Sequence, residues 1–304
     1  MRIAIIGRTE MLYDSAIVLE SEGFELGCVV TARAENEYKR DESDFGRLAA
    51  ERGIPFFNGP NPESLLDGVG EANCDLAISV NYPRILSQDF IDVFPIGILN
   101  AHGGDLPRYR GNACQAWAIL NGESEIGLCI HKMIGGEVDA GDIIARDYLN
   151  IDMHTRIGEV WDWMSEQIPH LMLAAVRSLA SDSSYILARQ SQRPQDALRC
   201  YPRRPSDGRI NWSLSATEIV RLVKASGRPF AGAFCDFEGR RVTIWDAQVF
   251  KDEENFCAVP GQVVSLTGGR PKIACGSGKV ELIDFEIAGD TGENGISSIR
   301  QRLQ

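Results

Sequence analysis

The sequence predicts an α/β fold: a Rossmann-like, mostly parallel sheet with helices on both faces, followed by a smaller C-terminal β-rich, barrel-like domain. Three observations carry this. Continuous apolar runs alternate with helical spacing over the first half of the chain. Strands buried on both faces lose the polar alternation of a half-exposed strand, and that is the mark of a parallel sheet between two helical layers. The texture then turns polar and proline-punctuated over Ser181–Pro205. Beyond it come short strand-like runs with glycine-rich turns, as in small barrels and sandwiches.

In chain order, Arg2–Ile6 is the first apolar run and Gly7 ends it. Leu12–Glu22 has helical spacing. Leu26–Thr31 is the second strand, and the charged segment Ala32–Asp44 reads as an exposed loop. Phe45–Arg52 is a helix that Ser43 or Asp44 caps and Gly53 ends. Asp75–Val80 and Gly97–Leu99 repeat the strand pattern. A long helix is expected from Thr155 to Ala180, with Pro169 kinking or splitting it. Later come a helix, Ala216–Lys224, and strands Val242–Trp245, Gly261–Leu266, Lys272–Ala274 and Val280–Ile287. The expected domains are residues 1–185 and 206–304, with 186–205 as a linker.

Composition narrows the classes. The chain of 304 residues is 44% hydrophobic and 24% charged, as in a globular protein with a sizeable core. No apolar run reaches the roughly 20 residues of a membrane span, so no membrane role is expected. The N-terminal apolar stretch is short and acidic Glu10 follows, so no secretory signal is expected and the location reads as cytoplasmic. Net charge is -12, and it is uneven: residues 1–199 hold 17 basic against 30 acidic residues, and residues 200–304 hold 14 against 13. Neither part is a basic surface for a polyanion, so nucleic acid is not an expected partner. The eight cysteines are never closer than fifteen positions. They lack zinc-finger spacing and read as reduced core residues.

The chemistry concentrates in residues 97–123, GILNAHGGDLPRYRGNACQAWAILNGE. Asn100 and His102 are two apart at the end of an apolar strand, and in extended chain they point to the same side. They are either two polar groups aimed at one spot or a turn cap and a satisfied buried histidine. The following loop, with Gly103, Gly104, Pro107 and Gly111, lets backbone approach a ligand. Arg108 and Arg110 there either hold an anion or stay solvated. Asp139 and Asp142 lie in a glycine-rich turn between two strand-like runs, where Asp and Gly are favoured for local reasons alone. After Ile6 the chain reads GRTEML, with no G-x-G-x-x-G, so a dinucleotide is not indicated.

Three ordered motifs join these residues by resemblance. Asn100-Ala101-His102, then Gly104-Asp105-Leu106-Pro107-Arg108-Tyr109-Arg110-Gly111, then Asp139-Ala140-Gly141 resemble the folate-dependent formyltransferases. That family shows Asn-x-His, a loop close to Ser-Leu-Leu-Pro-x-x-Arg-Gly, and Asp-x-Gly. Ala49–Pro55, Arg203–Pro205 to Trp212 and Arg228–Phe234 also match, so the resemblance covers nearly the whole chain. The layout is similar to methionyl-tRNA formyltransferase and to the formyltransferase domain acting on UDP-4-amino-4-deoxy-arabinose. Gly104-Asp105 replaces Ser-Leu, Cys114 replaces a proline, and one residue is inserted around Gly135-Gly136.

The resemblance implies Asn100, His102 and Asp139 as catalytic residues and 10-formyltetrahydrofolate as formyl donor, with no metal. It implies donor contacts at Arg84, Ile85, Leu86, Asn112, Gly135, Gly136, Glu137, Val138 and Asp139. For the acceptor side the candidates are Asp105, Tyr109, Arg110, Arg203, Arg204 and Arg228. The expected partner is a small-molecule nucleotide sugar bearing an amine, and a homodimer is a further expectation. Two alternatives stay open: the methionyl amine of an initiator tRNA as acceptor, and a non-catalytic sugar-nucleotide-binding module.

Overall fold

The computed structural model describes residues 1–59, 61–289 and 295–304. The chain forms two compact units. The first is 1–114, 126–149 and 161–201, and the second is 115–125, 150–160 and 202–304.

The first unit is built on β1 (Arg2–Gly7), α1 (Glu10–Ser21), β2 (Glu25–Thr31), α2 (Glu42–Arg52), β3 (Phe56–Asn58), α3 (Leu66–Glu71), β4 (Leu76–Val80), α4 (Gln88–Ile91) and β5 (Ile98–His102). After these come β6 (Tyr109–Gly111), β7 (Glu125–Lys132), β8 (Ile143–Asn150), most of α6 (Ile157–Ser181) and β9 (Leu198–Cys200), whereas α5 (Cys114–Asn121) falls almost wholly in the second unit. The seven-stranded sheet runs β3-β2-β1-β4-β5-β7-β8. Pairs from β3 to β5 are parallel, and β7 joins β5 antiparallel. The mostly parallel sheet is therefore as expected. Its continuous apolar runs are buried on both sides. Ala4, Ile6, Cys28, Val30, Ala77 and Ile98 pack with Val69, Phe90 and Phe94, and the alternate residues Ile3, Ile5, Val29 and Ile78 are fully buried as well.

Several local expectations are corrected. The cap of α2 is Asp41, not Ser43 or Asp44. Its carboxylate accepts from the Ser43 and Asp44 backbone N–H groups at 2.8 and 3.2 Å, and Asp44 accepts in return from the Asp41 N–H at 3.1 Å. This reciprocal box satisfies donors that the helix start leaves open. Gly53 does end the helix, in the left-handed conformation. Pro169 does not split α6, which runs unbroken from Ile157 to Ser181. The segment after β2 is not simply exposed: Arg8 donates to the Arg33 carbonyl at 2.7 Å, and Tyr38 stacks on Trp161 with ring centroids 6.2 Å apart.

The stretch read as a linker is folded onto the first unit up to residue 201. Strand β9 pairs in parallel with β6, placing Gly111 beside Cys200. Gln190 donates to the Asp139 carbonyl at 3.0 Å, and Gln192 donates to the Ala140 carbonyl at 3.0 Å. A polar, proline-punctuated run looks like a linker because its hydrogen-bond partners lie far away in sequence.

The second unit adds α7 (Ala216–Ser226), β10 (Ala233–Phe237), β11 (Arg240–Phe250), β12 (Val263–Ser265), β13 (Lys272–Ala274) and β14 (Lys279–Ile287). Ser215 caps α7 in a capping box with Glu218. The strands form an antiparallel sheet in the order β10-β11-β14-β13-β12. Ile219, Val220 and Val223 of α7 share its core with Cys235, Phe237, Val242, Ile244, Val280 and Leu282. No helix among the described residues is long and apolar enough to cross a membrane.

Candidate active site

Strand β5 presents Asn100 half-buried and His102 buried at its carboxyl end. This is the edge where open α/β sheets place ligands. The turn between β7 and β8 brings Asp139 to them. Asp139 holds a left-handed φ of 50°, which Asp tolerates better than most residues. Its Oδ2 lies 3.4 Å from His102 Nδ1 and accepts from the Gly111 N–H at 2.8 Å. The three residues of the spaced motifs thus converge.

A fourth group, which the sequence reading missed, completes the cluster. His131 on β7 sits directly across from Asn100 in the β5–β7 register. Its Nε2 lies 3.2 Å from Asn100 Nδ2 and 3.4 Å from Asp139 Oδ1. The only sequence signal was a histidine inside an apolar strand, and nothing there reveals which residue faces it.

The state of each group follows from its partners. Burial of Asp139 works against its charge. The charges of His102 and His131, with hydrogen bonds from His131 and the Gly111 N–H, outweigh burial and hold its carboxyl well below the ordinary carboxylate range. His102 Nε2 lies 2.7 Å from the Tyr109 carbonyl oxygen. A carbonyl only accepts, so Nε2 carries a hydrogen. In the neutral ring Nδ1 is then the bare nitrogen, and it is the one beside Asp139. Gly104 makes this packing possible, since a Cβ there would lie 2.5 Å from both His102 Nε2 and the Tyr109 oxygen.

The segments expected to hold the donor are neighbours. Gly135 N–H donates to Gln88 Oε1 at 2.9 Å, and Gly136 N–H donates to the Leu86 carbonyl at 3.0 Å. A Cβ at Gly135 would lie 2.3 Å from the Gln88 nitrogen, so this approach requires glycine. Leu86 is buried in the core, whereas Ile85 is 57% exposed. Arg84 and Ile85 line a cleft of about 210 Å³ with Asn61, Pro62 and Glu63. Glu137 N–H donates to the Ile134 carbonyl at 3.1 Å inside the turn, and Val138 leads into Asp139. Asn112 is exposed, and its N–H donates to the Cys200 carbonyl at 3.1 Å.

The acceptor-side candidates are more dispersed. Tyr109 is buried and serves the site through its carbonyl. Asp105 accepts from the Tyr148 hydroxyl at 3.0 Å. Arg110 donates to Gln190 Oε1 and the Ser191 carbonyl at 3.0 and 2.8 Å, which ties β6 to the strap over Asp139. The other three belong to the second unit. Arg203 donates to the Ala225 carbonyl and Ser226 Oγ. Arg204 is exposed, and its N–H donates to Asp207. Arg228 pairs with Asp284 and Glu286 over the face of Trp245.

A carboxamide, an imidazole and a carboxylate at one strand edge have the chemistry to serve group transfer to a nucleophile that must lose a proton. The formyl transferase domain model matches residues 1–176, and the formyl transferase C-terminal domain model matches residues 203–297. The chain belongs to the formyl transferase family. Among solved structures it is similar to an N-formyltransferase from Helicobacter canadensis in complex with folinic acid and dTDP-3-aminofucose, with TM-score 0.68, 15% identity, 92% of this chain and 97% of that one covered. It is also similar to WlaRD, a sugar 3N-formyltransferase, with TM-score 0.67, 16% identity and coverage of 95% and 98%. A third is HypX from Aquifex aeolicus in complex with tetrahydrofolic acid, with TM-score 0.63 and 18% identity. There the match takes in 94% of this chain but only 44% of HypX. At these identities the likeness is one of fold.

Proposed function

We propose that this protein transfers a formyl group from 10-formyltetrahydrofolate to the amino group of a nucleotide-linked deoxyamino sugar. The observation that carries the chemistry is the convergence of Asn100, His102 and Asp139 at the end of β5. The donor supplies an activated formyl carbon. Ile85, an exposed apolar side chain beside the cleft, suits its aromatic ring system, and the glycine turn 135–136 gives backbone a close approach.

The chain's own groups divide the work. The Asn100 amide is placed to donate to the oxygen on which negative charge develops. Removing such a donor costs about 10²–10³ in rate. His102 takes the amine's proton at Nδ1, because Nε2 is already occupied by its hydrogen to Tyr109. The Asp139 carboxylate, 3.4 Å from that nitrogen, stabilises the cation formed, and the same proton goes to N10 of the departing tetrahydrofolate as the C–N10 bond breaks and the carbonyl reforms.

The sugar acceptor is supported by electrostatics: residues 1–199 hold 17 basic against 30 acidic residues, a poor surface for a tRNA backbone. It is also supported by the sugar N-formyltransferases among the similar structures. The test is competition. UDP-, dTDP- and GDP-linked amino sugars and charged initiator tRNA are supplied together with the formyl donor, and products are read by mass spectrometry. A formylated sugar nucleotide is the expected product. Formylated tRNA with no sugar product would replace this reading.

The contact at Gly104 adds a prediction. Gly104→Ala displaces His102 or the Tyr109 carbonyl and lowers turnover by about 10²-fold, as small misplacements at a reacting centre do. Overpacking also costs about 1–3 kcal/mol in urea unfolding. Turnover equal to the parent's would show that His102 tolerates the extra carbon.

A further inference from the structure

His131 is 1% exposed, and Asn100 and Asp139 both face its Nε2. Its Nδ1 lies 2.8 Å from the Lys132 carbonyl oxygen, so Nδ1 carries a hydrogen. Nε2 is therefore either a bare acceptor or a second N–H. Its two neighbours make opposite demands. Asn100 Nδ2, at 3.2 Å, requires a lone pair there. Asp139 Oδ1, at 3.4 Å, requires a hydrogen. Asn100 can meet either demand by turning its amide over, because its oxygen and nitrogen ends have the same shape. Asp139 cannot, since an ionised carboxylate only accepts. A hydrogen on Nε2, shared between Asp139 Oδ1 and Asn100 Oδ1, satisfies all three side chains.

We propose that His131 is a positioning residue: its Nε2 hydrogen holds the carbonyl end of Asn100 inward and so turns the amide N–H outward to the formyl oxygen. The inference rests on the formyl-transfer reading of the site. Without this hold, a bare Nε2 captures the Asn100 N–H and leaves a carbonyl oxygen facing the developing negative charge. Charge balance agrees. The Asp139 carboxylate offsets the His131 cation before reaction. When His102 takes the amine's proton, the new positive charge is matched by the negative charge on the formyl oxygen.

Two measurements test this. The chain has only four histidines, so ring-¹⁵N NMR of labelled protein can be assigned with single-histidine variants. With folinic acid present at neutral pH, His131 is expected to carry hydrogen on both ring nitrogens, and a bare Nε2 overturns the proposal. The second is a double-mutant cycle on turnover. His131→Met lowers kcat by about 10²-fold, the scale of a lost oxyanion donor, with folinic acid affinity unchanged. His131→Gln, whose amide can donate to both oxygens, recovers most of that loss. In an Asn100→Ala background His131→Met costs almost nothing further, and additive losses also overturn the proposal. The NMR readout needs no turnover, so it decides the His131 question even if every amino sugar fails and the assigned function falls. If His131→Met does not fold, the wild-type spectrum and His131→Gln still give the answer.

Discussion

Replacing His102 with alanine lowers turnover by about 10²–10⁴-fold, the range that a positioned general base supplies. The geometry explains why the loss is large and why binding is spared. His102 is buried and reaches two partners: Nε2 is anchored on the Tyr109 carbonyl at 2.7 Å, and Nδ1 faces Asp139 at 3.4 Å. Alanine removes the only ring beside Asp139 that stands on β5, while the turn Gly135–Gly136 keeps its hydrogen bonds to Leu86 and Gln88. Folinic acid affinity should therefore stay within a few-fold of the parent's. His102→Gln separates anchoring from base chemistry: its amide can still donate to the Tyr109 carbonyl, but it cannot take a proton, so turnover stays low. Single-turnover kinetics with an amino sugar that accepts the formyl group provide the measurement. Near-normal turnover in either variant would remove His102 from the proton-transfer role.

Asp139→Asn is expected to lower turnover by about 10²–10⁴-fold, since an amide does not compensate the cationic imidazole that forms when His102 takes the proton. Asparagine is the informative replacement. It tolerates the left-handed φ of 50° and can still accept from the Gly111 N–H, so the turn is retained. Stability carries a separate signature. The Asp139 carboxyl is depressed in the folded state, where burial is outweighed by His102, His131 and the Gly111 N–H. Its contribution is then fully present above the ordinary carboxylate value of 3.8 and is lost as pH falls through the lower folded value. Urea unfolding at a series of pH values should show parent and variant furthest apart at pH 5 to 7, by about 1–3 kcal/mol, and converging below about pH 4. A gap that stays constant down to the acid limit would mean that the Asp139 charge is not what stabilises this cluster.

What the sequence by itself determined is local. The apolar runs of β1, β2, β4 and β5 declare their burial through period alone, because a strand covered on both faces cannot afford alternating polar residues. Asn100 and His102 declare a shared side because extended chain repeats every two residues. Helices α1, α2, α6 and α7 were legible for the same reason, although the cap of α2 slipped to Asp41, where four acidic or hydroxyl residues in a row offered competing choices. The family motifs named the Asp139 turn, but no spacing in the chain ties that turn to His102. Tertiary structure decided the rest. His131 faces Asn100 only through the antiparallel register of β5 and β7. Gln190 and Arg110 bind each other because the strap after α6 folds back along β6. Side chains in the run that read as a linker became structural ties by this route, with Arg110 among their partners. The physical reason is common to all of these: period and capping are set by neighbours within about one helical turn, whereas hydrogen-bond partners and electrostatic environment are set by residues that only the folded chain brings within reach.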